Sequence, residues 1–364
     1  MKVSLIGYNP TNFITALELI KKGFVVDILY LNKSKKTNTN RTLGISKNNF
    51  EFLAQNLKQI DKFSWPITKI KVFNQKNNFN ESIYFSNKNE KNFFLIKYID
   101  LFNLSEKACK KSKKICFKLV TSKYLENLQD QNKYDFIINS DNKNILTKKY
   151  FNKIIKKDYN SSAFTGILHH HKIKNNTAVQ IFTKYGPLAF LPFSQTKTSI
   201  VYSVQKKFHL ENKSIKKLIL EFNKTYKIKK LDKLEKFDLN FSFSRNIFYK
   251  NILCFGDPMH KIHPLAGQGF NMTLRDIKIL NNLIDEKISY GLEINESLLF
   301  DFKNKIQHFN LIFATGINLI NEFFLLDNKL NSRVSKNLFK ILNRNKTFKK
   351  YTTIFADKGI NLNY

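Results

Sequence analysis

The short apolar run "ILCF" at residues 252–255 leads directly into "GDPMHKIHPLAGQGFN" (256–271), and helically spaced apolar residues follow. The whole chain of 364 residues has only 11 Gly, 6 Pro and 7 His. Even so, Gly256, Gly267 and Gly269 crowd into this stretch beside Asp257, two prolines and two histidines. A buried strand, a glycine-rich loop and a long helix in that order constrain the fold strongly. The strand delivers the loop to the carboxyl end of a sheet, where open α/β sheets bind ligands. Gly267 and Gly269 carry no side chains, so backbone N–H groups there can approach a ligand. The helix that follows points its positive end at the same place, which suits a planar anion or a polarisable ring carbonyl.

The amino terminus supports an α/β reading. "KVSLIGYNPTNFITALELIKKGFVVDILYLN" (2–32) reads as strand, turn, helix and strand, the unit that usually opens a dinucleotide-binding domain. Helical spacing is expected over 43–60 and 95–112, a strand pair over 67–73 and 81–87, and strands over 114–120 and 134–141. From 160 to 245 the character is antiparallel strand with one helix at 213–227, and 296–350 reads as helix. The expected organisation is a discontinuous α/β domain (1–62, 86–158 and 246–295), an inserted antiparallel sheet (63–85 and 159–245) and a helical segment (296–364).

A formal net charge of +34 suggests a nucleic-acid partner, but the residue types argue against one. Only five of the 62 basic residues are Arg, the side chain best suited to bidentate phosphate and base contacts. The lysines are spread evenly and accompany Asn, Ile, Phe and Tyr, all with A/T-rich codons, so compositional drift accounts for most of the charge. No nucleic-acid partner is expected; attraction to anionic lipid surfaces is retained. The cysteines at 109, 116 and 254 form neither a disulfide framework nor a paired metal motif, which fits a reducing cytoplasm. The start of the chain is not of signal-peptide type, and no run is long and apolar enough to span a bilayer.

His260 and His263 are three apart, but Pro264 disfavours helical geometry at the residue before it, so no metal site is expected. His169, His170 and His171 fall in a strand, where only 169 and 171 share a face, and are expected on an exposed or edge strand.

With Gly256, Asp257, His260, His263, Pro264, Gly267, Gln268, Gly269, Asn271 and Asp276 all in place, the stretch resembles the second flavin-binding motif of class A flavin monooxygenases. It is most similar to the UbiH-type aromatic hydroxylases of ubiquinone biosynthesis. The opening βαβ unit, Arg41 in "RTLGIS", "DFIINSDN", "YGPLAFLPF" and the late "ADKGI" agree in order and spacing. The resemblance implies a three-layer, Rossmann-like FAD-binding domain with an inserted antiparallel substrate sheet and a helical C-terminus. It implies that Asp257 meets the ribityl chain or pyrophosphate, that Pro264, Gly267, Gln268 and Gly269 lie against the isoalloxazine, and that Asn271 belongs to the same motif. Arg41 takes a ligand role, while Phe182, Leu191, Pro192 and Phe193 line an aromatic substrate pocket. No side-chain acid or base is assigned.

The dinucleotide fingerprint departs from the family pattern. Its glycine positions hold Gly7, Asn9 and Asn12, and Tyr30 stands where an acidic residue would hold the ribose. Asp141–Asn142 replaces an Asp-Gly pair, Lys148 an arginine, and Thr273 a glycine. The resemblance implies FAD, reduced by NAD(P)H, and hydroxylation of a polyprenylated phenol. It also implies protein partners in quinone biosynthesis and a cytoplasmic location with peripheral contact at the inner membrane. The eroded ADP half admits an alternative, a non-catalytic scaffold or lipid-binding relative.

Overall fold

In a computed structural model, the described residues are 1–32, 41–75, 82–85, 93–128, 133–262 and 268–329. A six-stranded sheet runs in the order β16 (Phe248–Tyr249), β17 (Ile252–Cys254), β9 (Phe136–Asn139), β1 (Lys2–Ile6), β2 (Val25–Tyr30) and β8 (Ile115–Leu119). All its pairings are parallel except the β16–β17 hairpin. Val3, Leu5, Val26, Ile28, Phe136 and Ile138 are fully buried, as expected for a parallel sheet covered on its faces. Helices α1 (Pro10–Lys21), α3 (Tyr98–Lys110), α7 (Gln268–Ser289) and α8 (Glu296–Lys329) contribute Phe13, Leu101, Ile277 and Phe302 to the same core. The short α4 (Ser122–Glu126) and α5 (Ile145–Tyr150) add Leu125 and Leu146.

A three-stranded antiparallel sheet, β3 (Thr42–Ser46), β7 (Phe93–Lys97) and β4 (Ser64–Ile67), stands beside it. Two sequence expectations change here. Residues 43–46 and 95–97 are strands, and the helices begin only after them, as α2 (Lys47–Asn56) and α3. A short apolar run carries no period of its own, so distant pairing decides its form. β3 and β7 pair with each other, and Gly44 lets the Phe93 ring lie across the strand.

A nine-stranded sheet completes the fold in the order β18 (His260–Lys261), β15 (Glu235–Ser244), β10 (Ile154–His170), β13 (Lys197–Gln205), β12 (Gly186–Pro192), β11 (Thr177–Thr183), β5 (Lys69–Asn74) and β6 (Ser82–Phe85), with β14 (Ile228–Leu231) also on β10. One face is apolar, with Phe164, Ile181, Leu188, Phe190, Ile200 and Tyr202 packed against Ile215, Ile219 and Phe222 of α6 (Asn212–Phe222). Alternation along the strands puts Ala163, Thr165, Ala189, Ser199 and Ser203 on the other face. That face meets the small sheet where Thr42 Oγ1 donates to Ser199 Oγ at 2.9 Å. Helix α6 stops short of the expected 227 because the Asn223 carboxamide bonds both the N–H and the C=O of Tyr226.

The histidine tract is not on an edge: there β10 lies between β13 and β14. His170 is buried, with Nδ1 2.8 Å from His171 O and Nε2 3.0 Å from Thr198 Oγ1, and burial pushes its pKa down. Among the described residues no helix is long and apolar enough to cross a membrane.

Gly186 opens β12 at φ +141°, and a Cβ there would lie 2.2 Å from Ser203 O. Gly186→Ala is expected to cost about 1–3 kcal/mol, read as a lower urea midpoint with an unchanged slope. An unchanged midpoint would show that the turn relaxes freely.

Candidate functional site

Parallel pairing aligns Ile6 and Cys254 with Asn139, so Gly7, Ser140 and Gly256 leave the six-stranded sheet at one edge. Gly256 has φ +68°, and a Cβ on it would meet Thr11 at 3.3 Å and Thr273 at 3.7 Å. The loop therefore starts wedged between the first turn of α1 and α7. Asp257 follows with an exposed side chain that forms no hydrogen bond or ion pair with a described residue. Opposite it, the Arg41 guanidinium lies 5.1 Å from the Tyr98 ring, and Tyr98 N–H donates to Arg41 O at 2.9 Å. Burial raises the Tyr98 pKa, the Arg41 charge lowers it and the Asp257 charge raises it, so both charges act at this one hydroxyl. Arg41 and Tyr98 are in contact, and the charge of Asp257 reaches the same hydroxyl. Tyr98 escapes a sequence reading because it sits at a strand-to-helix junction inside a stretch with uninterrupted helical spacing.

The helix after the loop is anchored by its own side chains. Asn271 is fully buried; its Nδ2 donates to Gly44 O at 2.8 Å, and its Oδ1 accepts from Ser46 N–H and Asn49 Nδ2, each at 3.0 Å. The side chain expected at the cofactor thus clamps α7 to β3 and α2. His260 Nε2 lies 2.6 Å from Asp276 Oδ2 with both side chains fully buried, and Asn310 Nδ2 donates to Asp276 Oδ1 at 2.8 Å. That triad ties the loop to α7 and α8. Gln268, the first residue of α7, is buried, and its Oε1 has no hydrogen-bond partner among the described residues. A Cβ on Gly269 would meet nothing closer than Ile262 at 3.7 Å. His263, Pro264 and Gly267 lie outside the described residues.

Gly7, Asn9 and Asn12 come together at the amino end of α1, as the fingerprint requires. The asparagine side chains, however, are engaged within the protein. Asn9 Oδ1 accepts from Asn12 N–H at 3.1 Å, Asn9 Nδ2 donates to Ser140 Oγ at 2.9 Å, and Asn12 Nδ2 donates to Gly7 O at 2.8 Å. Tyr30, at the end of β2, has its ring 4.8 Å from that of Tyr8.

On the large sheet, alternation places Phe182 and Leu191 on the face turned away from α6, and Leu191 and Phe193 pack with Trp65 and Phe93. Lys97 Nζ lies 5.3 Å from the Phe193 ring centroid, which brings this patch beside Tyr98. Pro192 has the parity of Leu188 and Phe190 and faces the α6 side, away from the other three.

With this geometry in view, the comparisons are informative. No protein-family model matches the chain. Over 212 residues, 47% of this chain and 44% of the relative, it is 24% identical to the ubiquinone biosynthesis monooxygenase COQ6, mitochondrial, of Danio rerio. Over 118 residues, 31% of this chain and 30% of the relative, it is 32% identical to the 3-demethoxyubiquinol 3-hydroxylase of Escherichia coli (strain K12). Over these segments the chain is similar to enzymes of ubiquinone biosynthesis. Its matches span less than half the length of those curated relatives. The fold agrees with pqsL, a probable FAD-dependent monooxygenase from Pseudomonas aeruginosa, at a TM-score of 0.71 and 12% identity, covering 92% of this chain and 98% of that one. The fold, with parallel and antiparallel sheets and with α8 last among the described residues, is shared with that protein; residues 330–364 of the expected helical segment lie outside the described residues.

Asn271→Ala removes the bonds to Gly44 O, Ser46 N–H and Asn49 in a dry interior. A loss of roughly 2–4 kcal/mol is expected, given what unmatched buried polar groups cost. A thermal melt reads it; an unshifted midpoint would show that the clamp is dispensable.

Proposed function

We propose that the chain is a FAD-dependent monooxygenase that hydroxylates the aromatic ring of a polyprenylated phenol in ubiquinone biosynthesis. The observation that carries this reading is the placing of Gly256 and the exposed Asp257 at the carboxyl edge of the parallel sheet, against α7, with the Arg41–Tyr98 pair within reach of the Asp257 charge. There, a buried Gln268 amide oxygen lacks a partner among the described residues, and Gly269 presents backbone with no side chain. The residues present suit the ring and ribityl end of a flavin. Asp257 offers a free carboxylate to accept from ribityl hydroxyls, and Arg41 offers a cation to a phosphate. Gln268 would pair with the polar edge of an isoalloxazine, and the positive end of α7 would stabilise negative charge on that ring. When bound, the flavin supplies oxygen activation and hydroxyl transfer.

The chain's own task is positioning and exclusion of water. Phe182, Leu191 and Phe193 would wall the site of a planar phenol, and apolar walls would hold it in one orientation. Three finer points belong to the same proposal: NAD(P)H as reductant, protein partners in quinone biosynthesis, and a cytoplasmic location with peripheral contact at the inner membrane. The contact is supported by the net charge of +34 and by Phe309, Ile312 and Leu319, which α8 leaves 39%, 58% and 60% exposed. The self-bonded asparagines at α1 favour the second reading, a non-catalytic scaffold.

The purified protein is expected to show a flavin absorption spectrum, or to acquire one on titration with FAD. Asp257→Ala should weaken flavin retention at least tenfold. No binding at high FAD would leave the scaffold reading, and undiminished binding by Asp257→Ala would refute the ribityl contact.

A further inference from the structure

The adenylate end of this site is built unlike its ring end. A dinucleotide pyrophosphate would use the N–H groups in the first turn of α1. Pro10 has no N–H to offer. Asn12 N–H donates to Asn9 Oδ1 at 3.1 Å, and Phe13 N–H donates to Asn9 O at 3.1 Å. Among the described residues of that turn, only Thr11 N–H stays uncommitted. Asn12 is fully buried with its Oδ1 unpartnered, and an unpaired carbonyl oxygen repels a phosphate. Asn9 Nδ2 bonds Ser140 Oγ, which closes the gap between the loop after β1 and the end of β9.

The space for the adenosine is filled as well. Tyr8 is buried, its ring 4.8 Å from Tyr30, 5.1 Å from Phe13, 5.7 Å from Phe117 and 5.9 Å from Phe102. A ribose diol is usually held by a carboxylate at the end of the second strand, where this chain has Tyr30. The nearby acid, Glu106, is bonded to the Tyr8 hydroxyl and paired with Lys110 Nζ at 2.7 Å. At this end the protein satisfies itself.

We infer that this chain recognises its flavin by the isoalloxazine and ribityl end alone and gains nothing from the adenylate, so that riboflavin or FMN fills the site as well as FAD does. The inference rests on the flavin reading above. It is tested by titrating the purified full chain with riboflavin, FMN and FAD in a calorimeter. The three affinities are expected to agree within about threefold, and a preference for FMN supports the inference too, since Arg41 would meet its single phosphate. FAD binding ten or more times tighter than both others overturns the inference and leaves the flavin reading standing. If none of the three binds, both fall. The Asn9→Gly, Asn12→Gly double variant should gain at least fivefold for FAD while its riboflavin affinity, which also reports folding, stays unchanged. An unchanged ratio would refute the assignment of closure to these asparagines.

Discussion

The parallel pairing of β1, β9 and β17 is the constraint on which the site depends. Its register brings three chain segments far apart in sequence out of the sheet together, at Gly7, Ser140 and Gly256. Apart from Lys2, every residue of the three strands is buried, so a slip of one residue would turn core side chains toward the wrong layer. The register is therefore set by burial, and the site inherits its accuracy. The loop after Gly256 needs a second fixed point, which Asn271 provides by bonding β3 and α2. One anchor is a sheet edge and the other a buried carboxamide. Between them the charges of Arg41 and Asp257 both act on Tyr98.

Much of this was legible in the residues. The opening βαβ unit follows from its periodicity, and the strand–loop–helix run at 252–289 from apolar residues flanking glycines. What escaped was decided at long range. Leu43–Ser46 and Leu95–Lys97 read as helix because a short apolar run looks alike in either form, and their mutual pairing settles them as strands. The histidine tract looked like an edge because three polar rings in a row suggest solvent. The bonds that bury His170, to Thr198 Oγ1 and His171 O, cannot be seen from composition. Asn271 shows the opposite case: a residue marked by a binding motif has its side chain bonded into the fold. Pro192 was grouped with its neighbours by proximity in sequence, whereas strand alternation turns it to the other face.

The fate of the three fingerprint positions follows from backbone geometry. Gly7 has φ +123°, in the region that L side chains avoid, so the fold itself demands glycine there. Residue 9 is at φ −154° and ψ 163°, extended backbone open to any residue, and residue 12 lies within α1. At those two positions glycine serves a ligand rather than the chain. The chain keeps glycine where the fold requires it and has asparagine where only a pyrophosphate would. Asparagine there is also an effective helix cap, because its side-chain oxygen satisfies an N–H that would otherwise await a phosphate.

The two ends of the site thus differ in how their polar groups are satisfied. At the ring end, among the described residues, Asp257 forms no hydrogen bond or ion pair, and Gln268 carries a buried oxygen without a partner. Buried polar atoms left unpaired are costly, and a protein retains them where a ligand completes the set. At the adenylate end, the first-turn N–H groups of Asn12 and Phe13 are capped, the loop is bonded to β9 and aromatic rings pack beside it. The Asn12 oxygen left unpaired there is an acceptor, which would disfavour an anion. On the proposed flavin reading, a site open at one end and closed on itself at the other suits half of a dinucleotide, the half that carries the redox chemistry.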